Sequence, residues 1–494
     1  MLTQLKESLT QNHHRNAFWI ENNYYSYARL DVRSSAVAAW LAQHNPHRRP
    51  VGIIAADTFD TYSAILGIMF SGAAYVPILP SYPKDRSQSI IEQAGMEIIL
   101  SPLPDTELEG CINPGNHVVL INSIPENNSF AQPEVSLKEN AYILFTSGST
   151  GVPKGVPLTH GNLWAFMDSF FSLGYEITAE DRFLQMFDLT FDLSVMSYLA
   201  PLFKGACVYT VPADGIKYMN IYSLLEEHEL TFTLMVPSIL SYLRPYFSDI
   251  DLPKLRHSLF CGEALYADVA KEWQVCVPNA LIQNVYGPTE ATIFCMTYDC
   301  RDAIKEYNGM VCIGQPMKNV AVVAVDENNR PVKQGDKGEL CLSGGQVTSG
   351  YINNLQKNKE AFFELNGTRY YRTGDIAFMD AAGDYQYCGR VDYQVKVKGG
   401  FRVELNEIEA HARNYTGLAN VAAVAIPNNI GISQIFLFLE NYTGDIADIT
   451  RYLKTQVPEY MLPEEILNIP VFPLNNNGKT DRKALGGMVK VGMV

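Results

Sequence analysis

The sequence predicts an α/β body followed by a β-rich subdomain and a compact α+β C-terminal domain. Three observations predict it. Short apolar runs such as "AYILFT" (141 to 146) and "TFTLMVP" (231 to 237) alternate with amphipathic segments such as "MNIYSLLEEHEL", the texture of buried strands joined by helices. After about residue 310 the texture changes to "NVAVVAVDENNRPV" and "GELCLSGG", strands joined by an Asn-rich turn. A further change near "GRVDYQVKVKGG" (389 to 400) precedes the helical segment "ELNEIEAHARNY", the strands "NVAAVAI" and "QIFLFLE", a helix and a final loop. The expected domains are therefore residues 1–391 and 392–494, with the boundary at Asp392.

A chain of 494 residues with 47% hydrophobic and 18% charged residues can build two or more domains and a cleft between them. Its formal charge of −15 and lack of a long basic run argue against nucleic acid or an anionic membrane as partner, and leave small metabolites and proteins. Nine cysteines show no CxxC pair or metal-ligand spacing, and the start "MLTQLKESLTQNHHRN" lacks the apolar core of a signal peptide. A reduced, cytoplasmic protein is expected. The most apolar stretch, "YSAILGIMFSGAAYVPIL", contains glycines and a proline, so a buried helix leading into a strand is expected there instead of a membrane span.

Phosphate chemistry is suggested first by "LFTSGSTGVPKGV" (144 to 156). If "AYILFT" is a strand, Thr146, Ser147, Gly148, Ser149, Thr150 and Gly151 form a turn at its end, where N–H groups and hydroxyls converge on an anion and Lys154 adds a positive charge. Lys154 follows Pro153 and precedes Gly155, so this is not a nucleotide-binding P-loop. An ordinary Gly/Ser turn has the same composition. In "NVYGPTEATI", Tyr286 can stack on a base and Glu290 can hold a magnesium ion at phosphate oxygens, or the pair is a turn with a solvated charge. In "YYRTGD", Asp375 can accept hydrogen bonds from two ribose hydroxyls, or is a plain carboxylate on a turn.

Taken in order, "GAAYVPILPSYPKDR", "LFTSGSTGVPKGV", "FDLTFDLSVM", "FCGEAL", "NVYGPTEATI", "GELCLSGG", "YRTGD", "GRVDYQVKVKGGFRVELNEIE" and "PLNNNGKTDRKAL" resemble the adenylate-forming superfamily over nearly the whole chain. That superfamily includes acyl-CoA synthetases, luciferases and amino-acid adenylation domains. The resemblance implies a large N-terminal domain of α/β layers and a β-barrel subdomain, with a small mobile C-terminal domain. It implies ATP and Mg2+ as cofactors, and activation of a carboxylate as an acyl-AMP with release of pyrophosphate. Thr146, Ser147, Gly148, Ser149, Thr150 and Lys154 would handle the phosphates, Tyr286 would pack on adenine, Glu290 would help hold magnesium, and Asp375 and Arg390 would address the ribose. Asn284, Gly287 and Thr289 belong to the same nucleotide-binding set. Lys479 would bridge substrate carboxylate and nucleotide during adenylation. The C-terminal domain would then swing about Asp392, withdraw the lysine and present the loop from Lys398 to Gly400, with Gly399 and Gly400 along the path of a pantetheine thiol.

Asp192 sits inside the apolar segment "FDLTFDLSVM", where a lone carboxylate is costly. In the adenylation domains that this chain resembles, its position binds the substrate ammonium; a helix cap is the alternative. The resemblance places Phe191, Leu193, Met196, Ser238, Leu259, Cys261, Gly262, Val285, Ile293 and Phe294 around it, with no second charge for an ionic side chain. A small amino acid is implied. "FDLSVM" together with "FCGEAL" looks most like the D-alanine:D-alanyl carrier protein ligases, which makes D-alanine the expected substrate. The tail after Lys479 carries no serine for phosphopantetheine, so the expected carrier is a separate protein. Other readings are a standalone peptide-synthesis adenylation domain for another small or apolar L-amino acid, a small-acid CoA ligase, and an inactive binding module on the same fold.

Overall fold

The computed structural model describes residues 1–126, 130–147, 152–301, 303–391, 394–397, 399–418, 420–473 and 480–491. Among them, two large sheets form the body. One has six strands in the order Val118–Leu120, Ile98–Ser101, Val51–Ile54, Tyr75–Ile78, Asn140–Thr146, Lys154–Thr159; all pairs are parallel except the last. The other has nine strands, with a parallel centre running Leu281–Tyr286, His257–Phe260, Phe232–Met235, Arg182–Gln185, Cys207–Thr210, Asn16–Ile20. Val51–Ile54 and Phe232–Met235 are buried at every position, which is why such strands read as continuous apolar runs.

The apolar stretch near residue 65 is the helix Phe59–Ser71, capped by the Thr58 hydroxyl and ended by Gly72 in the left-handed region, and it leads into the strand Tyr75–Ile78 as expected. No helix among the described residues is long and apolar enough to cross a membrane. The β-rich part is a five-stranded antiparallel sheet built on Val320–Val325, Gly338–Gly344, Thr368–Met379, Phe362–Leu365 and Tyr385–Arg390. Asp375 lies within one of these strands, not on a turn, directly across from Arg390.

Beyond residue 393 comes a hairpin, Gln394–Val397 and Phe401–Glu404, turned through Gly399 and Gly400, both at positive φ (84° and 80°). Then follow the helices Leu405–Thr416 and Ile446–Gln456 and a three-stranded sheet, Val421–Pro427, Ser433–Glu440 and Glu465–Ile469. The expected final loop is corrected: the chain adds the strand Glu465–Ile469 and closes with the helix Arg482–Val491. Gly486 and Gly487 depress helix propensity in "KALGGMVKV" and hide that helix. Packing overrides them, since Leu485 is fully buried in a cluster with Ala422, Phe438 and Leu467, and Arg482 bonds the Ala423 carbonyl at 2.5 Å. Asp392 and Lys398 lie outside the described residues.

Candidate active site

The carboxyl ends of the parallel strands gather the site, the position at which open α/β sheets bind ligands. Thr146 ends one strand and Lys154 opens its antiparallel partner, directly across from it. The loop between them is thus held at both ends, while Gly148, Ser149 and Thr150 lie outside the described residues, as does Lys479. The Thr146 hydroxyl is buried without a hydrogen-bond partner among the described residues. Ser147 donates to the Arg402 carbonyl at 3.0 Å and accepts from the Glu404 N–H at 3.1 Å.

The C-terminal hairpin brings two charges to this loop. Lys154 Nζ is 3.1 Å from Glu404 Oε1, both buried. Burial lowers the Lys154 pKa, and Glu404 offsets only part of that. Glu290, fully buried, accepts from Arg402 Nη1 at 3.0 Å and from the Tyr351 hydroxyl at 2.7 Å. Burial alone would raise the Glu290 pKa. The Arg402 guanidinium, the Tyr351 hydroxyl and Lys154 outweigh burial and hold it at about 2, so the carboxylate is ionised at neutral pH.

Beside these charges a cavity of about 410 Å³, within the size range of small-molecule sites, is lined by Ser238, Cys261, Gly262, Asn284, Val285, Tyr286, Gly287, Asp375 and Arg390. Asp375 accepts from the Tyr286 hydroxyl at 2.5 Å and from Arg390 Nη1 at 2.6 Å. The Asn284 amide donates to the Val311 and Cys312 carbonyls at 3.2 and 2.9 Å, so it braces the wall. A Cβ at Gly287 would stand 2.4 Å from Phe294 Cα, which restricts that position to glycine. Glu263 accepts from the Ser238 N–H at 2.8 Å and from the Gly400 N–H at 3.0 Å, tying the cavity wall to the hairpin tip.

Asp192 is the first residue of the helix Asp192–Leu202 and follows Phe191; its carboxylate accepts from the Ile293 N–H at 3.0 Å and bonds the Thr289 side chain. Burial pushes its pKa up to about 7, against the Ile293 hydrogen bond and with help from the Glu290 charge. Leu193, Met196, Leu259, Ile293 and Phe294 are buried in the apolar core and do not line the open cavity. Burial also pushes the Cys261 thiol up to about 12. Of the expected residues, Ser238, Cys261, Gly262, Asn284, Val285, Tyr286, Gly287, Asp375 and Arg390 share one cavity, while Asp192 is tied to Ile293 and Thr289 and does not line it.

The sequence model of the family described as AMP-binding enzyme matches residues 5–352. The chain belongs to the AMP-binding enzyme family. This AMP-binding enzyme is 32% identical to a D-alanine--D-alanyl carrier protein ligase of Lactiplantibacillus plantarum, over 93% of each chain. Its fold is similar to that of the Vibrio cholerae adenylation domain AlmE solved with glycyl-adenosine-5'-phosphate (TM-score 0.88, 27% identity, 99% of this chain and 97% of that one). It is also similar to holo-PA1221, a nonribosomal peptide synthetase protein with adenylation and carrier domains solved with a vinylsulfonamide inhibitor (TM-score 0.86, 26% identity, 98% and 83%). Membership of an adenylate-forming family implies use of ATP.

Sequence reasoning missed five residues of this AMP-binding enzyme's site: Glu263, Gln346, Tyr351, Arg402 and Glu404. Arg402 and Glu404 were open to detection, because residues two apart in a strand share a face, and "FRVE" is such a strand. Gln346 is different. Thr292 and Ile293 hold positive φ values of 55° and 74°, a strained conformation for β-branched residues. The buried Gln346 amide donates to the carbonyls of Ala291 (3.2 Å) and Phe294 (2.9 Å), and the Thr292 hydroxyl donates to the Gln346 carbonyl at 2.5 Å. That clamp keeps the Ile293 N–H on Asp192. Gln346→Ala leaves buried carbonyls unpaired and is expected to lower stability by about 1–3 kcal/mol in urea unfolding. An unchanged midpoint would mean that the turn is held by other contacts.

Proposed function

We propose that this protein is an AMP-forming ligase that activates a small amino acid, D-alanine in the specific reading, as its aminoacyl adenylate. It then passes the aminoacyl group to the phosphopantetheine thiol of a separate carrier protein. The observation that carries this reading is Asp192: a buried carboxyl anchored by the Ile293 N–H, walled by apolar side chains, and adjacent to a cavity edged by Tyr286, Asp375 and Arg390. A carboxylate there pairs with an α-ammonium group. Met196, Leu259 and Phe294 are fully buried in the apolar core, which supports a small side chain. The glycyl adenylate held by AlmE and the naming of the Lactiplantibacillus relative agree with that choice. A cytoplasmic location belongs to the same reading, in keeping with nine free cysteines.

In adenylation a substrate carboxylate oxygen attacks the α-phosphate of ATP and pyrophosphate leaves, a displacement served by positioning and charge neutralisation. Tyr286 packs on the base, Asp375 with Arg390 orients the ribose, and Lys154 with the 146–150 loop receives the departing phosphates. Glu290, ionised, and the Thr146 hydroxyl, without a hydrogen-bond partner among the described residues, fit a magnesium ion, which needs one or two protein ligands beside phosphate oxygens. Mg2+ bound there would neutralise phosphate charge. Lys479 bridges carboxylate and nucleotide.

The charges described above cannot serve ATP in the present arrangement. Glu404 occupies Lys154 and Arg402 occupies Glu290, so the hairpin must withdraw before a triphosphate enters. The C-terminal domain, from Asp392 as hinge, thus alternates between two placements, and the one described is that of thiol transfer. Two features support this. The cavity continues past Ser238 to Lys396 and Ile432 at its mouth, and a Cβ at Gly400 would stand 2.7 Å from Val236 Cγ1, so glycine lets the hairpin close on the path.

ATP–pyrophosphate exchange across D- and L-amino acids tests the reading. Strongest exchange is expected with D-alanine or a residue of similar size; preference for a large aromatic or charged amino acid would overturn it. Asp192 is neutral below about pH 7 and charged above it, so the KM for the amino acid is expected to fall as pH rises from 6 to 8. Asp192→Asn is expected to remove that dependence and cut kcat/KM at least a hundredfold. Lys479→Ala is expected to lower exchange by two or more orders of magnitude, about 2.7 kcal/mol or more, in a folded protein. Near wild-type exchange in that variant would remove the lysine from the mechanism.

A further inference from the structure

A third charge pair crosses between the two parts of the chain, between residues that do not line the nucleotide cavity. Arg86 extends from the helix Lys84–Ala94, and its Nη1 is 2.8 Å from Oε1 of Glu407 in the first turn of Leu405–Thr416. Both side chains are buried, Glu407 completely. The guanidinium lies 5.3 Å from the Tyr82 ring centroid, and its Nε has no hydrogen-bond partner among the described residues. Glu407 is therefore the carboxylate that compensates Arg86, and a guanidinium buried without it is strongly disfavoured.

The pair is mechanically linked to the site. Glu404 is the N-cap of the helix that carries Glu407, and Arg402 precedes it in the hairpin strand. Next to them Phe401 stacks on Tyr460 (3.9 Å, 17°) and meets Phe191 edge-on (4.6 Å, 82°), while Tyr460 and Tyr82 are hydrogen-bonded. Contacts thus run from the residue before Asp192 across the interface to Arg86. Placing Glu407 on Arg86 sets where Glu404 and Arg402 fall on Lys154 and Glu290.

We infer that Arg86 and Glu407 are positioning residues for the transfer half-reaction, forming an ion pair made only while the hairpin covers the site and broken during adenylation. This rests on the two-placement reading given above. Because ATP and the hairpin charges exclude each other, removing the pair leaves the ATP-binding placement untouched and depopulates the other.

The experiment separates the half-reactions in the full-length protein. In Glu407→Gln and Arg86→Gln, pyrophosphate exchange is expected to stay within about twofold of wild type. Single-turnover transfer from preformed adenylate to free pantetheine is expected to fall at least tenfold, with Arg86→Lys keeping most of it. Transfer at the wild-type rate in both Gln variants, or a parallel loss of exchange and transfer, would overturn the inference. Hydrogen exchange of residues 401–404 without nucleotide gives a readout independent of substrate, and it is expected to speed up at least tenfold in Glu407→Gln. If wild type exchanges pyrophosphate with no amino acid, the proposed function fails by itself; unaltered protection of 401–404 would overturn the ion pair.

Discussion

Four charges nearly cut off from water set the terms for this site: Lys154, Glu290, Arg402 and Glu404. Burying a charge is tolerable only when an opposite charge and hydrogen bonds replace the lost hydration. Here each N-terminal charge is matched by one from the hairpin, and the Tyr351 hydroxyl and the Gln394 amide complete the set. The same condition explains why the site cannot simply be vacated. In the proposed cycle Arg402 and Glu404 leave, Glu290 and Lys154 need new counter-charges of the same signs, and a magnesium ion with a polyphosphate would supply both. The chemistry of the ligand and the chemistry of the covering hairpin are therefore versions of one electrostatic requirement.

Much of this was legible in the sequence because it is local. Strands buried on both faces leave apolar runs, glycines and hydroxyls gather in the sequence just before Lys154, and a carboxylate in an apolar segment marks Asp192. The four-charge arrangement was not legible, because Glu404 is 250 residues from Lys154 and Arg402 is 112 from Glu290. The cross-strand pairing of Asp375 with Arg390 likewise depends on sheet register. The closing helix was hidden for a different reason: two glycines argue locally against it, and only Leu485 and Arg482, docked on the far strands, outweigh them.

Strain is part of the same construction. Thr292 and Ile293 take a backbone conformation that β-branched residues avoid, immediately beyond the Glu290–Ala291 pair and opposite Asp192. The turn thereby delivers the Glu290 carboxylate, proposed to hold magnesium, on one side and an N–H for Asp192, proposed to bind the substrate ammonium, on the other within four residues. A relaxed loop would separate those two tasks. Gln346, reaching in from beyond the five-stranded sheet's second strand, keeps the strained form in place.

An acyl adenylate is an indiscriminate electrophile, and it would be formed within reach of a cysteine that belongs to the enzyme. With burial pushing its thiol up to about 12, Cys261 stays protonated at neutral pH and lacks the thiolate that would react. The wall that shapes the pocket is thus also chemically silent, and the protein is protected from acylating itself while it waits for a thiol from outside.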